Sequence, residues 1–324
     1  MNSYLPSGVG VVVEIISIWV ALAITGFLFS RIKQYAIAIV LAWATVIASM
    51  VLVHCLSLSE GAGVRMLALI TSLLLAMKAV VTVEAYKGKA KRLTVIQWLA
   101  FLAWFGMRPS IFESLGKEKL SGAGELIRYG VIRLIIGLIL IVAAYLIAPI
   151  IHSAILIGAI LLIGLSLALH FGLLNISAGV WRLFGVDARM IFKQPLISTS
   201  LTEFWGKRWN VAFSEMTSLA IYKPAKPIVG IRIATIAAFL FSGLLHEIAI
   251  SVSVMAGFGL PMLYFFLHGA LLVAETNITQ LQRLLQHKII GHTWVCFWLI
   301  VPIPLLFHSY FMNGIIYPII HYSH

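Results

Sequence analysis

The chain has 324 residues, of which 61% are hydrophobic and only 10% charged, and its mean hydropathy is +1.04. Values this apolar lie outside the range of a soluble domain and describe an integral membrane protein. Its net charge of +12, from 23 Lys and Arg against 11 Asp and Glu, calls for a membrane explanation first, and nucleic acid needs no place in that account.

A helical span takes about 20 apolar residues. Apolar runs predict spans near 8–30, 35–56, 64–86, 129–149, 151–174, 228–250, 257–276 and 291–309. A shorter run at 95–107 is expected to be re-entrant or interfacial. The N-terminus lacks the basic head and small-residue cleavage site of a removable signal, so 8–30 reads as a retained first span. With the N-terminus outside, the basic segments between spans fall on the cytoplasmic side, as the positive-inside rule requires. Only Arg65 is left outside, and Lys78, Arg133 and Arg232 lie within spans. Cys55 and Cys296 both sit in apolar runs, where packing is the expected role and neither a disulfide framework nor a thiolate metal site is indicated.

No repeat, low-complexity linker or composition shift divides the chain, which reads as one membrane domain over 1–324. Its longest non-spanning segment, 175–227, is expected to be a cytoplasmic loop. That loop carries Phe204-Trp205-Gly-Lys207-Arg208-Trp209-Asn210, and the span after it carries Ser242-Gly-Leu-Leu-His246-Glu247.

These two motifs, in this order, resemble the signature of the membrane-bound O-acyltransferase superfamily, most closely its wax-synthase-like branch. The shared run covers roughly 192–251, so the first 170 residues rest on hydropathy alone. The resemblance implies an all-α polytopic fold of about eight to nine transmembrane helices enclosing an intramembrane reaction chamber. It also implies transfer of an acyl group from acyl-CoA to the hydroxyl of a lipophilic acceptor in a bacterial inner membrane or the endoplasmic reticulum. A long-chain alcohol giving a wax ester is its first suggestion, with a sterol, diacylglycerol or terpenoid alcohol also open. Acyl-CoA is then a substrate, and no cofactor is expected.

Under that resemblance His246 is the general base and Asn210 belongs to the active site. Imidazole, with an unperturbed pKa of about 6.5, takes and returns a proton near neutral pH. Asn210 has no titratable proton, so its work is hydrogen bonding: orienting a reacting group or stabilising the oxyanion. A turn or helix-cap role is its structural alternative.

On a continuous helix Arg232, Thr235, Ser242, His246 and Ser253 fall within about 40° of one line. Facing lipid at the bilayer centre, the arginine alone would cost roughly 2.5–3.5 kcal/mol, so this stripe is expected to face protein or a wet cavity. In the next span Tyr264, His268 and Glu275 share a face, and the two polar faces are expected to line one chamber. Glu247 points about 100° away from His246 and reads as a supporting group. Phe204, Trp205 and Trp209 are implied by the motif to wall an acyl or CoA tunnel, although interfacial anchoring alone also enriches tryptophan. Lys207 and Arg208, with Arg189, Lys193, Lys223 and Lys226, form a basic rim able to attract CoA phosphates.

The ten histidines are scattered, with no His-Glu-x-x-His and no clustered carboxylates, and no metal is expected. Asn175-Ile-Ser and Asn277-Ile-Thr match glycosylation sequons but fall near the expected inner face and read as chance. The competing reading is a transporter or lipid channel in which Lys78, Arg133, Arg232, His246 and Glu275 form a charge pathway. Such proteins often show repeated halves, and this chain shows none.

Overall fold

Long apolar runs become long helices because, away from water, each backbone N–H and C=O has to be satisfied within the segment. A computed structural model describes residues 3–151 and 153–322, and among them the regular structure is entirely helical. His152 and His324, two of the ten histidines, lie outside the described residues. Among the described residues seven helices are long and apolar enough to cross a membrane, or eight if one bent pair is counted as a span.

Helices α1 (Val9–Phe29), α2 (Tyr35–Leu56) and α3 (Ala62–Ala85) open the chain. Only 17% of the apolar window of α1 is buried against 67% of that of α3, so α3 is the central helix and α1 shields it. Val13, Ile16, Val20 and Ile24 on α1 are exposed, the lipid-facing complement of that arrangement.

The 95–107 run does not span. It forms the eight-residue helix α4 (Val95–Leu102), started by a capping box in which Thr94 Oγ1 accepts the Gln97 N–H and Gln97 Oε1 accepts the Thr94 N–H. Its far end is held by Lys78 of α3, fully buried, whose ammonium donates to the carbonyls of Phe101 (2.8 Å), Trp104 (2.6 Å) and Gly106 (3.1 Å). The same nitrogen lies 3.9 Å from the centroid of the Phe101 ring. All three ammonium protons are thus used on one broken helix end, which removes Lys78 from any charge pathway.

Helix α5 (Ala123–Ile147) packs along α6 (Ala154–Ser166), a π-helical turn at Leu167–Leu173, and α7 (Leu174–Leu183). Small residues let the backbones approach: a Cβ on Gly137 would sit 2.6 Å from Gly164 O. The span expected at 151–174 therefore continues to Leu183. Asn175 is buried inside it, donating to Phe171 O (2.8 Å), and the non-helical stretch begins nine residues later than the expected 175–227 loop, at Phe184.

The expected loop is also shorter at its other end. From Val211 the chain is helical through α9 (Val211–Thr217), a π turn at Ser218–Tyr222, α10 (Lys223–Ala249) and α11 (Ser251–Val254). The one break within α10 is Gly230, at φ 78° and ψ 172°, a conformation open to residues without a Cβ. Helix α12 (Leu260–Asn277) packs against α10, with Gly243 against Met262 and Gly269 against Phe239, where an added Cβ would lie 2.9 and 2.8 Å from its nearest neighbour. A 94° bend then leads to α13 (Thr279–Leu285), followed by α14 (Lys288–Ile300).

Candidate active site

The first motif is held by carboxylates. A short helix, α8 (Leu201–Glu203), runs into a π turn at Phe204–Arg208. Its free N-terminal N–H groups meet Glu275, a buried residue of α12: Oε1 accepts Leu201 N (2.7 Å), and Oε2 accepts Thr202 N (2.8 Å) and Thr202 Oγ1 (2.7 Å). Trp294 Nε1 donates to Oε1 at 2.9 Å. An anion at a helix start is favoured by the macrodipole as well as by the bonds. Glu275, expected to line the chamber, instead fixes the motif helix, and all its acceptor capacity there is spoken for.

Beyond the π turn, Arg208 Nε donates to Glu203 Oε1 (2.8 Å). Lys193 N bonds Arg208 O (2.7 Å) and Val211 N bonds Ile191 O (2.9 Å), so 191–193 lies alongside 208–211. Trp209 stacks on Phe204 at 5.5 Å and meets Phe192 edge-on at 4.8 Å. It is a packed internal ring, and Arg208 is occupied by an ion pair within the loop. Lys207 is exposed.

Asn210 has φ 42° and ψ 58°, the left-handed region that asparagine tolerates better than other residues with a Cβ. Its Oδ1 accepts the Phe213 N–H (3.2 Å) as the cap of α9. The cap consumes the oxygen and leaves the amide NH₂ as a donor, so capping and hydrogen-bond catalysis are compatible.

His246 stands on α10, its Nδ1 2.7 Å from Ser242 O. A carbonyl only accepts, so Nδ1 carries the proton and Nε2 holds a lone pair. The ring lies between Phe213 (5.5 Å, edge-on) and Phe265 of α12 (4.2 Å), and keeps some accessible surface. The Asn210 cap therefore positions the residue that packs on His246. Ser242 is buried, and its hydroxyl bonds back to Ala238 O (3.0 Å).

Glu247 is buried and faces α12. Its Oε1 accepts Gly259 N (2.8 Å) and Met262 N (3.1 Å) at the start of that helix. The supporting role expected of it is a second helix cap: Glu247 fixes α12, and α12 through Glu275 fixes α8. On α12, Tyr264 and His268 are buried and in ring contact at 4.3 Å. His268 Nδ1 lies 2.9 Å from Tyr264 O, and its Nε2 is buried with no hydrogen-bond partner among the described residues.

The polar stripe does not stay together. Ser242 and His246 face α12 and the motif segment, whereas Arg232 is exposed near the other end of α10 and donates to Asn277 Oδ1 (2.7 Å). Arg232 lines no chamber, and Thr235 bonds its own helix at Ile231 O (2.9 Å).

One residue was missed. His170, in the π turn at Leu167–Leu173, reaches Phe192 (4.7 Å) and Trp209 (5.9 Å) on the far side of the motif. It is the one titratable side chain in the apolar run 154–174, and that isolation was the available signal. Helical spacing alone gives no warning of a π turn, which shifts the register of the residues after it. A pocket lined by Trp104, Arg108, Arg189, Lys193, Val211 and Ala212, among others, lies beside the 191–193 and 208–211 pairing, so two of the expected basic-rim residues, Arg189 and Lys193, meet one residue past Asn210. Arg189 there is bonded to Asp187 (2.6 Å).

Two motif segments thus meet around a histidine with a free lone pair in a chain whose described regular structure is all helical. Residues 188–267, about a quarter of the chain, match the model of the Membrane bound O-acyl transferase family. It is 32% identical over 102 residues to Probable long-chain-alcohol O-fatty-acyltransferase 7 of Arabidopsis thaliana, covering 29% of this chain and 30% of the relative. It is 36% identical over 72 residues to Long-chain-alcohol O-fatty-acyltransferase of Simmondsia chinensis, covering 20% of each. Acyl-CoA–sterol O-acyltransferase 1 of Arabidopsis thaliana is 27% identical over 88 residues, covering 25% of this chain and 26% of the relative. The chain thus spans about a third or less of the length of these relatives.

Proposed function

We propose that the protein transfers an acyl group from acyl-CoA to the hydroxyl of a lipophilic alcohol, with a long-chain alcohol as the favoured acceptor and a sterol next. The names of the relatives support this order of acceptors.

His246 Nε2 takes the proton of the acceptor hydroxyl as its oxygen attacks the thioester carbonyl, a step worth on the order of 10²–10⁴ in rate. The Asn210 amide NH₂ donates to the carbonyl oxygen as it gains negative charge. When the tetrahedral carbon collapses, the C–S bond breaks and the proton on His246 passes to the CoA sulfur, leaving an ester and free CoA. His246 is paired with no serine or cysteine, the Ser242 hydroxyl going to Ala238 O, so transfer is direct and no acyl-enzyme is invoked. The basic rim, expected on the cytoplasmic face, receives the CoA phosphates, and the alcohol approaches from the membrane.

The observation that carries the reading is the free Nε2 of His246 beside Phe213, the residue capped by Asn210. Purified protein in detergent, given palmitoyl-CoA with a panel of alcohols, sterols and diacylglycerol, should release CoA and form ester with at least one acceptor. His246→Ala should abolish it. A folded wild-type protein that binds no acyl-CoA would end the proposal.

A further inference from the structure

The indole N–H of Trp205 is buried and has no hydrogen-bond partner among the described residues. An orphaned N–H is costly inside a protein, and a low-dielectric interior raises the cost. The surroundings show how firmly it is held. The backbone carbonyl of Trp205 accepts Ser214 Oγ (2.6 Å), and the helix it extends is capped by Glu275. The ring itself is enclosed by Phe204 (5.0 Å), Phe239 (6.0 Å), Phe265 (5.6 Å) and His268 (5.4 Å). Phe265 is the same ring that lies 4.2 Å from His246.

We infer that Trp205 is a second hydrogen-bond donor to the carbonyl oxygen of the acyl thioester, an inference that rests on the acyl-transfer reading above. Trp205 and His246 pack on the same Phe265 ring, at centroid distances of 5.6 and 4.2 Å. The arrangement is also chemically apt: a neutral N–H in an apolar aromatic box gives little to a ground-state hydrocarbon chain and most to an oxygen acquiring charge. Trp205 and the Asn210 amide together supply the two donors that a tetrahedral oxyanion can use. As nucleophile oxygen to carbonyl carbon forms and carbon to sulfur breaks, neither donor gains or loses a proton.

The test replaces Trp205 with benzothienylalanine, which keeps the ring shape and carries sulfur where indole carries N–H, with Trp205→Phe as a second variant. The first readout is affinity for a palmitoyl-CoA analogue with a methylene group in place of the thioester sulfur, a ketone that accepts a hydrogen bond but cannot be transferred. Loss of one neutral hydrogen bond should weaken binding about five- to tenfold. The second readout is turnover, where kcat should fall on the order of 10²-fold with KM for the alcohol little changed. A ring that only packs would leave affinity and kcat at wild-type values in the sulfur variant, and that result overturns the inference alone. Failure of the wild-type protein to bind the ketone analogue overturns it together with the acyl-transfer reading.

Discussion

Asn210 Oδ1 accepts the Phe213 N–H at 3.2 Å, and the Phe213 ring stands edge-on to His246 at 5.5 Å. The loop motif and the helix motif thus touch through a residue that belongs to neither. The same asparagine caps α9 with its oxygen alone, so its capping role and the catalytic role proposed for its NH₂ are separable by experiment.

At φ 42°, glycine fits the Asn210 backbone and alanine does not. Asn210→Gly should melt within a few degrees of wild type, since glycine is a tolerable cap, yet lose on the order of 10²–10³ in kcat. Asn210→Ala should lose the same activity and about 1–2 kcal/mol of stability besides. Thermal unfolding in detergent alongside ester formation distinguishes the two.

His246→Gln should lower kcat on the order of 10²–10⁴ while leaving acyl-CoA affinity within a few-fold of wild type. Equal turnover in the variant would assign the base elsewhere, with His170 and His268 the next candidates by position.

Removing the Glu275 carboxylate should be costly, because Leu201 N, Thr202 N, Thr202 Oγ1 and Trp294 Nε1 all donate to it. Glu275→Ala should destabilise by about 3 kcal/mol or more and increase hydrogen exchange across 199–210. Exchange confined to α12 would place its importance in that helix instead.

Lys78→Met should disorder the turn after α4, since three carbonyls lose their common donor. Protease cleavage or exchange near 102–107 reports it, and the expected loss of stability is about 3 kcal/mol.

Acid should loosen the motif loop. Burial pushes the Glu203 carboxyl upward, but the Thr199 N–H, Arg208 and Lys207 outweigh it and hold it below the usual carboxylate range. A carboxyl lowered by folding contributes stability that is present above its unfolded value and lost as pH falls through its folded one. Exchange at 199–210 should therefore rise on acidification below the ordinary glutamate range, and Glu203→Gln should flatten that response.

Much of the architecture was legible because hydrocarbon leaves so few options: apolar runs of 20 or more residues can only be spans, and α1, α2 and α3 fall within two residues of their expected limits. Where charge was sparse but used, hydropathy misled. Lys78 and Glu275 looked like pathway or wall residues, and each turned out to satisfy a broken or starting helix, a role set by partners 23 to 74 residues away. Arg232 shared a helical line with His246, but at its end of α10 it is exposed and bonded to Asn277 at the end of α12. The extension of the fifth span to Leu183 was hidden for a different reason: polar Asn175 and Ser177 ended the apolar run while the helix went on.

The cap that Glu275 places on α8 also orders the birth of the site. A ribosome delivers the motif helix 74 residues before the carboxylate that binds the Leu201 N–H, and α12 takes its own cap from Glu247, made just ahead of it. The cap on the helix that leads into 204–210 can therefore form only once α12 has been made.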